Sequence, residues 1–272
     1  MNVTVADLTG ALDSAYPPDW AAPWDRVGLV LGEPTEPARR ALLVVDVVPE
    51  TVAEAIEAGA ELIVAHHPLL LRGVSSVAPT TYKGRIVHQL IRAGIALFVA
   101  HTNADVARPG VSDALAARLG LGALRPLRPA EGPAAGDGRG FGRVGELAAP
   151  VRFADLVRAV GAALPQTLSG VRAAGDPDRP VRTVAVCGGA GDEFLADAAA
   201  AGADVYLTAD LRHHPASEHL AGGGPALIDA THWATERPWL DTVAGQLGEY
   251  GVQPVVSDIC TDPWNLKEDS HQ

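Results

Sequence analysis

Ala58-Gly-Ala-Glu-Leu-Ile-Val-Ala-His-His-Pro68 is the stretch on which the fold turns. A glycine ends one element, a short apolar run follows, and two histidines and a proline close it. The run has the length and composition of a strand buried on both faces, and Gly59 stands where a helix over Glu50–Ala58 would stop. Working outward, Ala41–Asp46 reads as the preceding strand, Tyr82–Ala93 as a helix closed by Gly94, and Ile95–Ala100 as the next strand. The alternation resumes with strands at Arg182–Cys187, Asp204–Thr208 and Ala226–Asp229, and with helices at Gly191–Ala201 and from about Ala234 to Glu249. A first helix is expected over Thr4–Ala15, with Thr4 as its N-cap and Pro17-Pro18 beyond its end. Short strands separated by helices predict βαβ units, hence an α/β protein with mostly parallel sheets.

The deciding stretch has an echo. Ala58–Ala65 aligns without gaps to Ala201-Gly-Ala-Asp-Val-Tyr-Leu-Thr208, and Ala96-Leu-Phe-Val-Ala-His101 resembles Ala226-Leu-Ile-Asp-Ala-Thr231. Duplication and chance likeness between Ala-rich βα units both account for this, and either way two similar α/β lobes are expected. Pro126–Gly142, rich in Pro, Gly and Ala, reads as linker and loop. The expected division is a first lobe of residues 1–125 plus 226–272 and a second lobe of 126–225.

Composition narrows the function classes. The chain of 272 residues is 47% hydrophobic and 20% charged, enough for a sizeable core and too apolar for general disorder. No apolar run approaches the roughly 20 residues that span a bilayer. Residues 1–15 carry two aspartates and no basic residue, unlike a signal peptide, and the two cysteines cannot build a disulfide scaffold. A soluble, cytoplasmic protein is the expectation. The net charge of -12, with lysine only at Lys83 and Lys267, argues against nucleic acid or an anionic membrane as partner.

Nine histidines are the sharpest chemical feature, because most follow predicted strands. His66-His67-Pro68 follows Glu61–Ala65, His101-Thr-Asn-Ala-Asp105 follows Ile95–Ala100, and His232-Trp-Ala-Thr-Glu236 follows Ala226–Asp229. Parallel sheets gather ligands at the carboxyl ends of their strands. Imidazole and carboxylate together suit divalent metals such as zinc, manganese, iron or nickel. The spacing of His232 and Glu236 puts both on one helical face once the helix has begun. Pro68 predicts a turn in which His66 and His67 can aim at one cluster, and Asp105 supplies offsetting charge. Singly, such residues are usually loop or surface groups. Together, at three strand ends, they favour a metal site, and five of them suit two ions roughly 4 Å apart. Gly188-Gly-Ala-Gly191 reads as a structural turn rather than a phosphate loop, since Asp192 and Glu193 occupy the following first turn.

The segments Trp24-Asp-Arg-Val-Gly-Leu29, His66-His-Pro-Leu69, His101–Asp105, Phe141-Gly-Arg-Val-Gly-Glu-Leu147, Asp204–Thr208 and Asp229–Glu236 occur in this order. Together they resemble the GTP cyclohydrolase 1 type 2 homologues, also called the NGG-interacting-factor-three-like family, over almost the whole chain. The resemblance implies two α/β lobes with a dinuclear metal site in the cleft between them, and a toroidal homohexamer. It implies His66, His67, Asp105, His232 and Glu236 as metal ligands, with Glu236 bridging two divalent ions and serving catalysis. By the resemblance His101 and Asn103 support the ligands or contact substrate, and Asp210 and His214 match a further part of the pattern; Arg26, where the family usually has Asn, adds a cation beside the site that would favour an anionic substrate. The chain departs from the family at Arg26, Ala209 and Thr231, and none of these removes a ligand.

Two functions compete at this stage. A metal-dependent hydrolase of the GTP cyclohydrolase 1 type 2 kind would attack a nucleotide through a metal-bridging water. A non-catalytic metal carrier or regulatory interaction protein would use the same ligands.

Overall fold

The computed structural model describes residues 3–268. The chain runs α1 (Val5–Ala15), β1 (Gly28–Leu31), β2 (Arg40–Val44), α2 (Pro49–Ala58), β3 (Leu62–Ala65), α3 (Tyr82–Ala93), β4 (Ala96–Val99) and α4 (Thr102–Val106). It continues with α5 (Val111–Arg118), β5 (Gly122–Pro129), β6 (Gly140–Arg152), α6 (Phe153–Ala163), β7 (Arg172–Ala174) and β8 (Pro180–Ala190). The last elements are α7 (Leu195–Ala200), β9 (Val205–Ala209), α8 (His213–Ala221), β10 (Ala226–Asp229), α9 (His232–Gly248) and β11 (Gln253–Val256).

Local chemistry sets the helix ends. Thr4 caps α1 through a capping box, its hydroxyl accepting from the Asp7 N–H while the Asp7 carboxylate accepts from the Thr4 N–H. Gly59 and Gly94 close α2 and α3 as the sequence predicts, and both adopt the left-handed conformation.

The strands form two sheets. The first has the order β1-β4-β3-β2-β11, with β1 antiparallel to β4 and every other pairing parallel. The second has the order β5-β6-β8-β9-β10-β7, with β8, β9 and β10 parallel and antiparallel strands outside them. Strands β3, β4, β9 and β10 are buried along their whole length, which is why they read as continuous apolar runs rather than alternating ones. Around the first sheet, Leu42, Ile63 and Leu97 pack with Val52 of α2 and with Ile86 and Leu90 of α3. Around the second, Ala185, Tyr206 and Leu227 pack with Leu195 and Ala198 of α7. Truncating one such leucine to alanine costs about 2–5 kcal/mol.

Two compact units result, residues up to Ala107 with Leu240–Thr261, and Arg108–Trp239 with residues from Asp262 onward. Residues 108–125, 226–239 and 262–268, expected in the first lobe, belong to the second unit. There α5 packs on β6 and β8, and β10 pairs with β9. The stretch expected as linker, Pro126–Gly142, instead holds the end of β5, a short 3-10 helix and the start of β6. Pro126 and Pro129 lie in β5, an edge strand paired only with β6, the kind of strand to which prolines within sheets are confined. Each unit carries the order α-β-β-α-β-α-β, α1 to β4 in one and α6 to β10 in the other. In each, the first strand of that series lies antiparallel to the last. Among the described residues, no helix is long and apolar enough to cross a membrane.

Candidate metal centre

In the first unit, β3 ends at Ala65 and the backbone still follows its neighbour, with the His66 and His67 N–H groups donating to the Val44 and Val45 carbonyls. This places both imidazoles at the carboxyl end of the sheet, where β4 delivers His101. The three rings lie 5.0–5.4 Å apart, centroid to centroid, and each offers a ligand nitrogen within 4.8 Å of the others.

Each imidazole is held by its Nδ1. That of His66, a fully buried residue, lies 3.0 Å from the Ala100 carbonyl. Those of His67 and His101 lie 2.8 and 2.9 Å from carboxylate oxygens of Asp46 and Asp25. A carbonyl or carboxylate oxygen only accepts, so each Nδ1 is the donor in these contacts, and Nε2 is the ring nitrogen on the side away from that partner. Metal-ligating histidines are oriented in the same way. Asp25 is itself buried, and the Thr102 N–H and hydroxyl both donate to it. Burial would raise its pKa, but the hydrogen bonds from His101 and Thr102 outweigh this and hold it well below the usual carboxylate range.

Asp105, in the short α4, places Oδ1 3.8 Å from His66 Nε2. Ligand atoms about 2.1 Å from one zinc ion stand about 3.4 Å apart at the tetrahedral angle and farther at wider angles, so this pair can share a cation. Asn103 is buried and uses its side chain on the loop itself, accepting from the His101 N–H and donating to the Tyr16 carbonyl. Arg26 is exposed, and its guanidinium donates to the Asp25 carbonyl.

In the second unit, α9 begins at His232, so His232 and Glu236 do share a helical face, with Nε2 3.0 Å from Oε1. Glu236 is 3% exposed. Asp210, just past β9, accepts from His232 Nδ1 at 2.7 Å. Burial alone would lower the His232 pKa; the Glu236 charge and the hydrogen bonds to Asp210 and Glu236 prevail and push it up to about 11. The hydrogen bond from His232 in turn lowers the pKa of Asp210. His214 lies on α8 with its ring against His213.

The glycine run is structural. The N–H groups of Gly188, Gly189 and Gly191 donate to Ser112 Oγ, Thr235 Oγ1 and the Ala209 carbonyl, which leaves them no phosphate to cradle. Sequence reasoning passed over Asp25 and Asp46, although both sit where a signal was available, in the Trp24-Asp-Arg segment and at the end of a predicted strand.

An α/β fold that presents oriented imidazoles and carboxylates at the carboxyl ends of its parallel strands defines the class, a candidate divalent-metal protein. A profile of the Duf34/NIF3 (NGG1p interacting factor 3) family matches residues 3–263. The chain belongs to this family. It is 51% identical over 267 residues to a Streptomyces coelicolor protein named GTP cyclohydrolase 1 type 2 homolog, covering 96% of this chain and 93% of that one. Its fold superposes on a Bacillus cereus protein related to NIF3 with a TM-score of 0.88 at 25% identity, covering 98% and 99% of the two chains. A Staphylococcus aureus hypothetical protein gives the same TM-score at 27% identity, covering 98% and 100%.

Proposed function

We propose that the protein is a metal-dependent hydrolase of the GTP cyclohydrolase 1 type 2 kind, acting on a nucleotide. His66, His67, Asp105, His232 and Glu236 would hold two divalent cations. The observation that carries this reading is the clustering of His66 and His67 with their neighbour His101, each imidazole held through Nδ1 by an oxygen acceptor, as metal-ligating histidines are held. Bound divalent ions supply Lewis-acid chemistry, polarising the bond under attack and acidifying water. The chain's own residues do the rest: Asp46 and Asp25 orient His67 and His101, Asp210 orients His232, and Glu236 contributes a buried carboxylate. The Streptomyces relative's name supports GTP as the first substrate to try. We further propose a homohexamer, to be read as a solution mass about six times that of the chain.

The test is elemental analysis of purified protein, followed by assay on GTP and other nucleotides with divalent metal restored. Bound metal with turnover that disappears in Glu236→Ala supports the hydrolase. Bound metal without turnover on any nucleotide would turn the reading to a carrier.

A further inference from the structure

Gly188-Gly-Ala190 ends β8 with small residues that pack poorly in a strand, and α9 supplies the reason. Gly189 is buried at a φ of +67°, a conformation that L side chains rarely adopt. A β-carbon there would stand 2.3 Å from Glu236 Oε1 and 3.0 Å from His232 Nε2. The bare α-carbon leaves the volume that these two side-chain ends occupy.

The same residue also anchors the helix. The Gly189 N–H donates to Thr235 Oγ1 at 2.9 Å, and that hydroxyl donates to the His232 carbonyl at 2.8 Å. Thr235 is fully buried. One hydroxyl therefore ties the end of β8 to the first turn of α9, the turn from which His232 and Glu236 project. A serine or threonine hydroxyl that only satisfied its own helix would need no second partner in a strand.

We propose that Gly189 and Thr235 are positioning residues for a divalent cation held by His232 and Glu236, Gly189 through the space it leaves and Thr235 through its two hydrogen bonds. The inference rests on the metal reading above and adds two residues to it. Partners that orient metal ligands typically change affinity by about 10- to 100-fold when removed.

The experiment uses the full chain and zinc ion as probe. Thr235→Val keeps the shape and removes the hydroxyl; Thr235→Ser keeps the hydroxyl. Zinc affinity is read by competition with a chromophoric chelator, the electronic spectrum of the cobalt-substituted protein reports ligand geometry, and unfolding in chelator monitors the fold. We expect Thr235→Val to bind zinc roughly 10- to 100-fold more weakly and to shift the cobalt bands, with Thr235→Ser staying close to the parent. Equal affinity of Thr235→Val and the parent, or equal losses in both variants, overturns the positioning role. Should Thr235→Val not fold, Gly189→Ala provides the second reading, since its methyl group displaces the Glu236 carboxylate; parent-like zinc affinity there overturns the role of Gly189. A parent protein that takes up no zinc overturns the metal reading itself, which separates the two failures.

Discussion

Glu61 and Asp204 make the same pair of hydrogen bonds, one in each unit. Glu61 Oε2 accepts from the Arg39 and Arg40 N–H groups at 2.8 and 2.9 Å, and Asp204 Oδ2 accepts from Arg182 and Thr183, both at 2.9 Å. The two acids occupy equivalent places in the internal alignment of Ala58–Ala65 with Ala201–Thr208. In each unit the acid after a helix-closing Gly-Ala fastens the start of the preceding strand. Chance likeness between Ala-rich segments would not reproduce this contact together with a shared order of elements, so duplication is the better account of the echo.

Glu61 should make stability depend on pH. Burial would raise its pKa, but hydrogen bonds from the Arg39 and Arg40 N–H groups and the Arg39 side chain prevail and lower it. A carboxylate whose pKa falls on folding adds stability above its unfolded value, and that contribution fades as pH drops through the folded value. Glu61→Gln should therefore lose about 1 kcal/mol in urea unfolding at pH 7. Below the usual carboxylate range the two proteins should converge; a gap that persists there would assign the effect to packing.

Strands β2, β3 and β4 and the ends of α2 and α3 were legible because buried apolar runs and glycine stops are local signals. The ligand candidates were legible for the same reason, each following such a run. Strand β5 was not, because Pro126 and Pro129 are read as breakers until the strand is known to lie at an edge. Edge strands β1 and β7 are only four and three residues long and partly exposed, too short to separate from loop by pattern. Asp25, Asp46 and Thr235 act through partners remote in sequence, and spacing alone does not announce such contacts.

Cation binding should release protons. His232 is pushed up to about 11 by its two carboxylate neighbours, despite burial that opposes it, so at neutral pH its ring is protonated in the ion-free protein. Nε2 cannot ligate a cation until that proton leaves. Zinc affinity should rise with pH below that value, by up to about tenfold per pH unit for each proton displaced. Calorimetry in buffers of different ionisation enthalpy at pH 7 should show net proton release, and Glu236→Gln should reduce it. Binding without proton exchange would show that His232 is not displaced from its partners.

Asp25→Asn should unsettle the loop that carries His101. The carboxylate accepts from the His101 ring and from the Thr102 N–H and hydroxyl, and an amide places a donor against one of these donors. Hydrogen bonds to a buried charge contribute about 1.5–3 kcal/mol, so a loss of that order is expected in chemical denaturation. Asp25→Ala, which removes the acceptor of these donors and of the Arg26 N–H, should cost at least as much. A change within about 0.5 kcal/mol, the range of ordinary surface substitutions, would contradict the assignment.

Arg143, in the Phe141–Leu147 segment, should prove a structural residue despite its charge. Its side chain is 1% exposed; Nε and Nη2 meet the Asp113 carboxylate at 2.8 and 2.6 Å, and Nη1 donates to the Gly140 and Gly142 carbonyls. Asp113 also accepts from the Gly110 N–H, which fixes the start of α5. Breaking a buried pair by removing one partner typically costs about 3–5 kcal/mol, because the survivor keeps its desolvation penalty. Arg143→Ala and Asp113→Ala should each lose stability on that scale. The double variant should lose less than the sum of the two, by about 0.5–3 kcal/mol, as expected for residues in direct contact. Urea unfolding of the four proteins closes the cycle. Strict additivity would mean that the guanidinium is held by the carbonyls of the β6 start and that the carboxylate serves α5 alone.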